Sequence, residues 1–225
     1  MLDTLTTALH RRDPDRPAIL TATRSGRGRV RATRGELAAL ADGYAIALHR
    51  HGLAVGDTLG LAVRPGPRAL ALLLAAHRLG VRVALLDPNA GPDVLTARLA
   101  VADPALVVAD AAAQALAGWA RPLARRARLA LPRLSTLGPV RTVGRWWPGC
   151  APVLDPGTGP TPTPYDGDGD AVIIFTSGTT SRPRAVVHTR AGLAAGMSAV
   201  TDLVGPRAGE AILGGMFFVR VPALA

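Results

Sequence analysis

The sequence predicts an α/β fold with a largely parallel sheet. Short apolar runs recur along the chain, stretches with helical periodicity lie between them, and Gly, Pro, Asp and Asn punctuate the joins. Read in order, the first half gives βαβαβ. Parallel neighbours need a long crossover, and the intervening helices supply it.

Thr33 and Glu36 form a T-x-x-E pattern, which caps a helix start by reciprocal hydrogen bonds. After them Leu37, Leu40, Ala41, Tyr44, Ala45 and Leu48 recur at three and four residues, predicting an amphipathic helix that stops near Gly52. Thr58 to Val63 (TLGLAV) reads as a buried strand, and Pro67 to Leu79 as a helix capped by Gly80. Val81 to Leu86 (VRVALL) is the next strand, broken by Asp87-Pro88-Asn89. Asp93 to Ala102 is helical and Ala105 to Ala109 (ALVVA) is a strand. A helix followed by irregular chain is expected between Ala111 and Arg145.

The segment Pro152 to Asp170 (PVLDPGTGPTPTPYDGDGD) is rich in Pro, Gly, Thr and Asp, as suits an exposed connection. It divides the expected organisation into an N-terminal α/β lobe over 1–151, a connection over 152–170, and a strand, loop and helix over 171–225 that open a second, incomplete lobe. In that last part Ala171 to Phe175 (AVIIF) is a strand and Thr189 to Leu203 a helix.

Between them, Thr176-Ser177-Gly178-Thr179-Thr180-Ser181 offers consecutive backbone N–H groups and five hydroxyls, with Arg182 and Arg184 just beyond. Small residues let a backbone approach phosphate oxygens, hydroxyls add donors, and a cation offsets charge. Each hydrogen bond to a charged oxygen contributes ~1.5–3 kcal/mol. This is not the G-x-x-x-x-G-K-[ST] type of loop, because both the spacing and the lysine differ.

With this loop the chain resembles the adenylate-forming (AMP-binding) superfamily of acyl-CoA synthetases, peptide-synthetase adenylation domains and luciferases, whose signature reads TSGTTGxPKGV. Upstream segments are similar in order: Arg16-Pro17-Ala18-Ile19, Glu36-Leu37, His51-Gly52-Leu53, Val55-Gly56-Asp57, Leu79-Gly80-Val81 and Leu85-Leu86-Asp87-Pro88. The resemblance implies the N-terminal part of that ligase fold. It also implies ATP with Mg2+, a small-molecule carboxylic acid, an acyl-adenylate product, and CoA as the usual acceptor. By resemblance Thr176, Ser177, Gly178, Thr179, Thr180 and Arg184 hold the β- and γ-phosphates. Phe217 and Phe218 supply an aromatic wall of the acyl pocket, or are simply core strand. No acid occurs between Ala211 and Ala225, which favours a fatty or aryl acid over an amino acid. The ending FFVRVPAL resembles olefin-pathway β-lactone synthetases.

Three residues depart from the signature: Ser181 and Ala185 stand where the family has glycine, and Arg184 where it has lysine. The family's later segments, the catalytic lysine included, lie downstream of this loop. The 225 residues contain no lysine, so the chain alone is expected to be inactive and a separate chain to carry the missing part. A non-catalytic remnant that at most binds nucleotide or a partner is the second reading.

Composition bears on a third, a basic nucleic-acid-binding module. The net charge is +10, but all 26 basic residues are arginines in a chain rich in Ala, Gly and Pro, a pattern of GC-rich coding. The basic runs Arg24 to Arg34 and Arg121 to Arg128 lack the interleaved aromatics that single-strand binding uses, so solvated faces and no nucleic-acid partner are expected. The single cysteine, Cys150, excludes an intramolecular disulfide and suits the cytoplasm. His10, His49, His51 and His77 show no metal-ligand spacing, His188 is expected as a helix-start residue rather than a general base, and neither a leader nor a membrane span is expected.

Overall fold

In a computed structural model, the structure describes residues 9–10, 13–22, 28–86, 92–120, 122, 138–176, 184–205 and 210. Six strands form one sheet. In chain order β3 (Thr58–Ala62), β4 (Arg82–Leu85), β5 (Leu106–Asp110), β6 (Val140–Val143), β7 (Asp170–Thr176) and β8 (Arg184–Thr189) are arranged β6-β5-β3-β4-β7-β8. Every neighbouring pair is parallel except β7–β8. The largely parallel α/β architecture read from the sequence is therefore what forms.

The central strands show why the sheet is covered on both faces. Leu59, Leu61, Val83, Leu85, Leu106 and Val108 belong to one apolar cluster, while the residues between them, Ala62, Ala84, Val107 and Ala109, belong to a second. That is the period-two alternation of a strand buried on both sides. Helices α1 (Arg34–Arg50) and α2 (Pro67–Leu79) cover the first face with Leu37, Tyr44, Leu48, Leu72 and Ala76. Helix α3 (Pro92–Ala102) covers the second with Leu95 and Leu99. A short helix α4 (Ala111–Ala117) follows β5.

The helix ends follow local chemistry. The Thr33 hydroxyl accepts from Glu36 N–H at 3.2 Å, and Thr33 N–H donates to the Glu36 carboxylate at 2.9 Å. At the far end of α2, Gly80 sits at φ 70°, a conformation that a Cβ disfavours.

Some of the structure differs from the sequence expectation. Pro17–Ala22 (β1) and Gly28–Thr33 (β2) form a separate antiparallel pair, so part of the first basic run is a strand with Arg29 and Arg31 exposed. Most of the second basic run lies outside the described residues. β6 arises inside the stretch read as irregular, its pairing with β5 supplying the hydrogen bonds that a four-residue run cannot make alone.

Beyond the connection at 152–170, β7 pairs directly with β4. The connection itself is held against the helices. Leu154 is buried, Gly157 N–H donates to Gly43 O at 2.8 Å, and Tyr165 N–H donates to Arg78 O at 2.8 Å. Arg50 and Arg78 guanidiniums return hydrogen bonds to Thr158 O and Pro162 O. The segment is a strap across α1 and α2, held through its backbone because its residues offer few apolar side chains.

Candidate phosphate-binding hairpin

β7 ends at Thr176 and β8 begins at Arg184, with these two residues paired across the antiparallel ladder. The Ser/Thr/Gly segment is therefore the connection of a hairpin, not a direct strand-to-helix turn. β7 is apolar for a reason: Ala171, Ile173 and Phe175 are buried against the sheet's neighbours, and Phe175 and Ile173 belong to the second cluster. The loop leaves the carboxyl end of a strand that is parallel to β4, the end at which open α/β sheets present ligand sites.

Of the residues expected to hold phosphate, Thr176 is the last residue of β7 and Arg184 the exposed first residue of β8. Ser177, Gly178, Thr179 and Thr180 lie outside the described residues, as do Ser181 and the proposed wall residues Phe217 and Phe218. Ala185 is not part of the loop but a β8 residue opposite Phe175, and its methyl packs on the second cluster. His188 also lies on β8, paired with Val172, and not on the following helix. That helix, α5 (Arg190–Val204), starts from Thr189, whose hydroxyl accepts from Gly192 N–H at 3.0 Å.

One charged residue near the hairpin was missed. Arg98 of α3 is only 7% exposed, and its guanidinium lies over the Phe175 ring at 5.5 Å from the centroid. Among the described residues its Nε and Nη1 have no hydrogen-bond partner. The signal was present in the sequence: Leu95, Arg98, Leu99 and Ala102 follow i, i+3, i+4, i+7, which puts the arginine on the apolar stripe of its helix.

At the same end of the sheet, Asp110 accepts from both Arg64 N–H, at 2.8 Å, and Arg64 Nε, at 3.1 Å. Tyr44 is buried nearby. Burial pushes its phenol above the ordinary range, while the charge and hydrogen bond of Arg68 oppose the shift and Asp155 and Asp110 add to it. A groove of about 930 Å³ between the end of α1 and the strap is lined by Ile46, Leu53, Val55 and Tyr165, none of them an expected site residue. Among the described residues no group of three His, Cys, Asp or Glu could hold a metal ion, and no helix is long and apolar enough to cross a membrane.

The described architecture is an α/β sheet in which a Ser/Thr/Gly segment joins β7 to the antiparallel β8. The sequence profile of the AMP-binding enzymes matches residues 6–215, and the chain belongs to that family. Among curated proteins it is 32% identical over 192 residues to the olefin β-lactone synthetase of Stenotrophomonas maltophilia, covering 80% of this chain and 33% of that protein. It is 30% identical over 181 residues to the nonribosomal peptide synthetase CymA of Salinispora arenicola, covering 80% of this chain and 2% of that one. Among solved structures, the Brucella canis acyl-CoA synthetase superposes with a TM-score of 0.68 at 20% identity, over 92% of this chain and 37% of that one. The chain thus spans about a third of the β-lactone synthetase and of the acyl-CoA synthetase, and a far smaller share of the peptide synthetase.

Proposed function

We propose that this chain is the N-terminal part of an AMP-dependent ligase that activates a carboxylic acid, fatty or aryl, with Mg-ATP. The acid oxygen attacks the α-phosphorus, the bond to the β-phosphate oxygen breaks, and pyrophosphate leaves an acyl-adenylate. The CoA thiol, losing its proton, then attacks the acyl carbon, the bond from that carbon to the phosphate oxygen breaks, and AMP leaves with the acyl group held as a thioester.

The observation that carries this reading is the order T-S-G-T-T-S-R-P-R between the carboxyl end of β7 and the start of β8. Its donors fit a polyphosphate: Thr176 to Thr180 present hydroxyls and N–H groups, and Arg184 sets a permanent cation across the ladder. The described residues offer no carboxylate cluster for Mg2+, which would arrive on the phosphates. In this chemistry positioning and charge stabilisation carry most of the rate. Phe217 and Phe218 form the acyl wall, and the site of action is the cytoplasm.

The acting unit includes the portion that relatives carry beyond the share matched here. No lysine occurs in the 225 residues, so the charge that completes the transition state comes from that portion. The same fact favours a second reading, a nucleotide-binding remnant. Calorimetry with Mg-ATP and carboxylate-dependent ATP–pyrophosphate exchange separate them. Binding without exchange is expected of this chain alone, and exchange when it is fused to the remainder of a homologous synthetase. Exchange by the chain alone would overturn its inactivity, and absence of ATP binding in both forms would overturn the function.

A further inference from the structure

All three tryptophans of the chain stand outside the core, and the fold brings them to one place. Trp119, Trp146 and Trp147 are 62%, 49% and 38% exposed, whereas a side chain of this size is on average highly buried. Trp119 follows α4, and the other two follow β6. Gly149 joins them. It sits at φ 81°, and a Cβ on it would come within 3.2 Å of Trp119 Cδ1. Beside it, Cys150 N–H donates to Trp147 O at 3.1 Å and Trp146 Nε1–H donates to Cys150 O at 3.4 Å. The missing side chain of Gly149 therefore lets the Trp119 ring lie on the turn that carries the other two.

The charge around them has one sign. From Ala111 to Leu154 the sequence has seven arginines and no Asp or Glu. Arg145 is exposed beside Trp146, and a Cβ on Gly144 would meet the Arg68 guanidinium at 3.5 Å. Of the acids that bound the stretch, Asp110 is engaged by Arg64 and Asp155 is exposed. An exposed aromatic patch marks an interaction site, and the arginines around it select an anionic partner.

Tryptophan beside arginine suits the headgroup region of a bilayer, where the ring enters the acyl boundary and the guanidinium holds phosphate. Nucleic acid is the less suited anion. The basic run just beyond Trp119, Arg121 to Arg128, mixes arginine with Leu, Ala and Pro, residues suited to acyl chains, whereas a single strand needs further rings on which to stack successive bases.

We propose that Trp119, Trp146 and Trp147, flanked by Arg68 and Arg145, form a membrane-contact surface that seats the chain peripherally on bilayers bearing anionic headgroups. The inference is independent of the ligase reading, and its test needs no catalytic activity.

The chain has no tryptophan elsewhere, so its intrinsic emission reports on the patch without a label. With vesicles of roughly 7:3 phosphatidylcholine to phosphatidylglycerol the emission should move to shorter wavelength, and bromine on the acyl chains should quench it. Vesicles of phosphatidylcholine alone should bind at least about tenfold more weakly, and added salt should weaken the anionic case. Trp119→Ser with Trp147→Ser keeps the net charge and leaves Trp146 as reporter. It should lower partitioning by at least about tenfold through lost apolar burial. Arg145→Gln should lower it about fivefold, and Arg31→Gln on the separate β1–β2 pair much less. Circular dichroism should stay unchanged, because these side chains are exposed.

Unshifted emission with the anionic vesicles overturns the proposal. So does equal partitioning of the tryptophan double variant, which makes the attraction one of net charge alone, or a loss on Arg31→Gln as large as that on Arg145→Gln. Emission that responds to single-stranded oligothymidylate but not to vesicles makes nucleic acid the partner. Tryptophans shielded from acrylamide in the free chain would mean that its own residues, or a second copy seen in light scattering, already cover the patch, and that result also overturns it.

Discussion

Thr176 and Arg184 are cross-strand partners that close the hairpin carrying the Ser/Thr/Gly segment. The pairing sets a guanidinium at one foot of the loop while the backbone ladder fixes the other foot. If Arg184 holds phosphate, Arg184→Gln weakens Mg-ATP binding by roughly 10- to 100-fold, the loss of one charge-assisted contact of ~1.5–3 kcal/mol. Stability should change by no more than about 0.5 kcal/mol, since the residue is on the surface. Calorimetry and urea unfolding read the two quantities separately. Equal affinity in the variant would remove Arg184 from the site.

Arg98 stands in the opposite situation, buried over Phe175 with Nε and Nη1 unbonded among the described residues. A buried cation without such partners is costly, although stacking on an aromatic ring returns on the order of 2 kcal/mol when desolvated. Arg98→Met keeps a long flexible stem against Phe175 and removes the charge. The chain should become more stable by about 1–2 kcal/mol in urea unfolding, within the range seen when buried charges give way to apolar side chains. A destabilised variant would show that the guanidinium is balanced within the fold.

Tyr44 predicts a pH dependence. Burial holds its phenol protonated above the ordinary value near 10, so the unfolded chain loses this proton first as pH rises. The contribution is constant below about pH 10 and falls as pH climbs from there toward the folded value. The chain has no lysine and only two tyrosines, so few other groups titrate in that window. Tyr44→Phe should flatten the alkaline limb of urea midpoints against pH, at a constant cost of ~0.5–1.5 kcal/mol for the hydrogen bond donated by Arg68. An unchanged slope would assign the alkaline loss elsewhere.

Gly80 and Gly56 form an internal control for the strap. Both have positive φ, but a Cβ on Gly56 meets nothing within 4 Å, whereas one on Gly80 comes within 2.8 Å of the Tyr165 ring. That ring is fixed by Tyr165 N–H donating to Arg78 O and by the Arg190 guanidinium 5.3 Å from its centroid. Gly56→Ala should cost ~1–2 kcal/mol, the strain of a left-handed residue. Gly80→Ala should cost more, with the excess abolished in a Tyr165→Ala background. Equal costs in denaturant titrations would mean that the strap yields freely.

What the sequence determined by itself was set by near neighbours. The Thr33–Glu36 cap, the stop at Gly80, the two-sided strands β3 to β5 and the order of the Ser/Thr/Gly segment depend on spacings of a few residues, and they could be read without knowing what packs where. Tertiary structure decided the rest. β6 and the β1–β2 pair exist through partners on other strands, and β8 makes a hairpin with β7 because its hydrogen bonds go back to that strand. The Pro/Gly-rich stretch became a strap because Gly43 and Arg78 offered backbone carbonyls, a complementarity that composition does not encode. Arg98 stood on a legible apolar stripe, yet only the approach of Phe175 from β7 showed what that burial faces. Short-range pattern specifies elements, whereas pairing and burial depend on which surfaces the folded chain brings together.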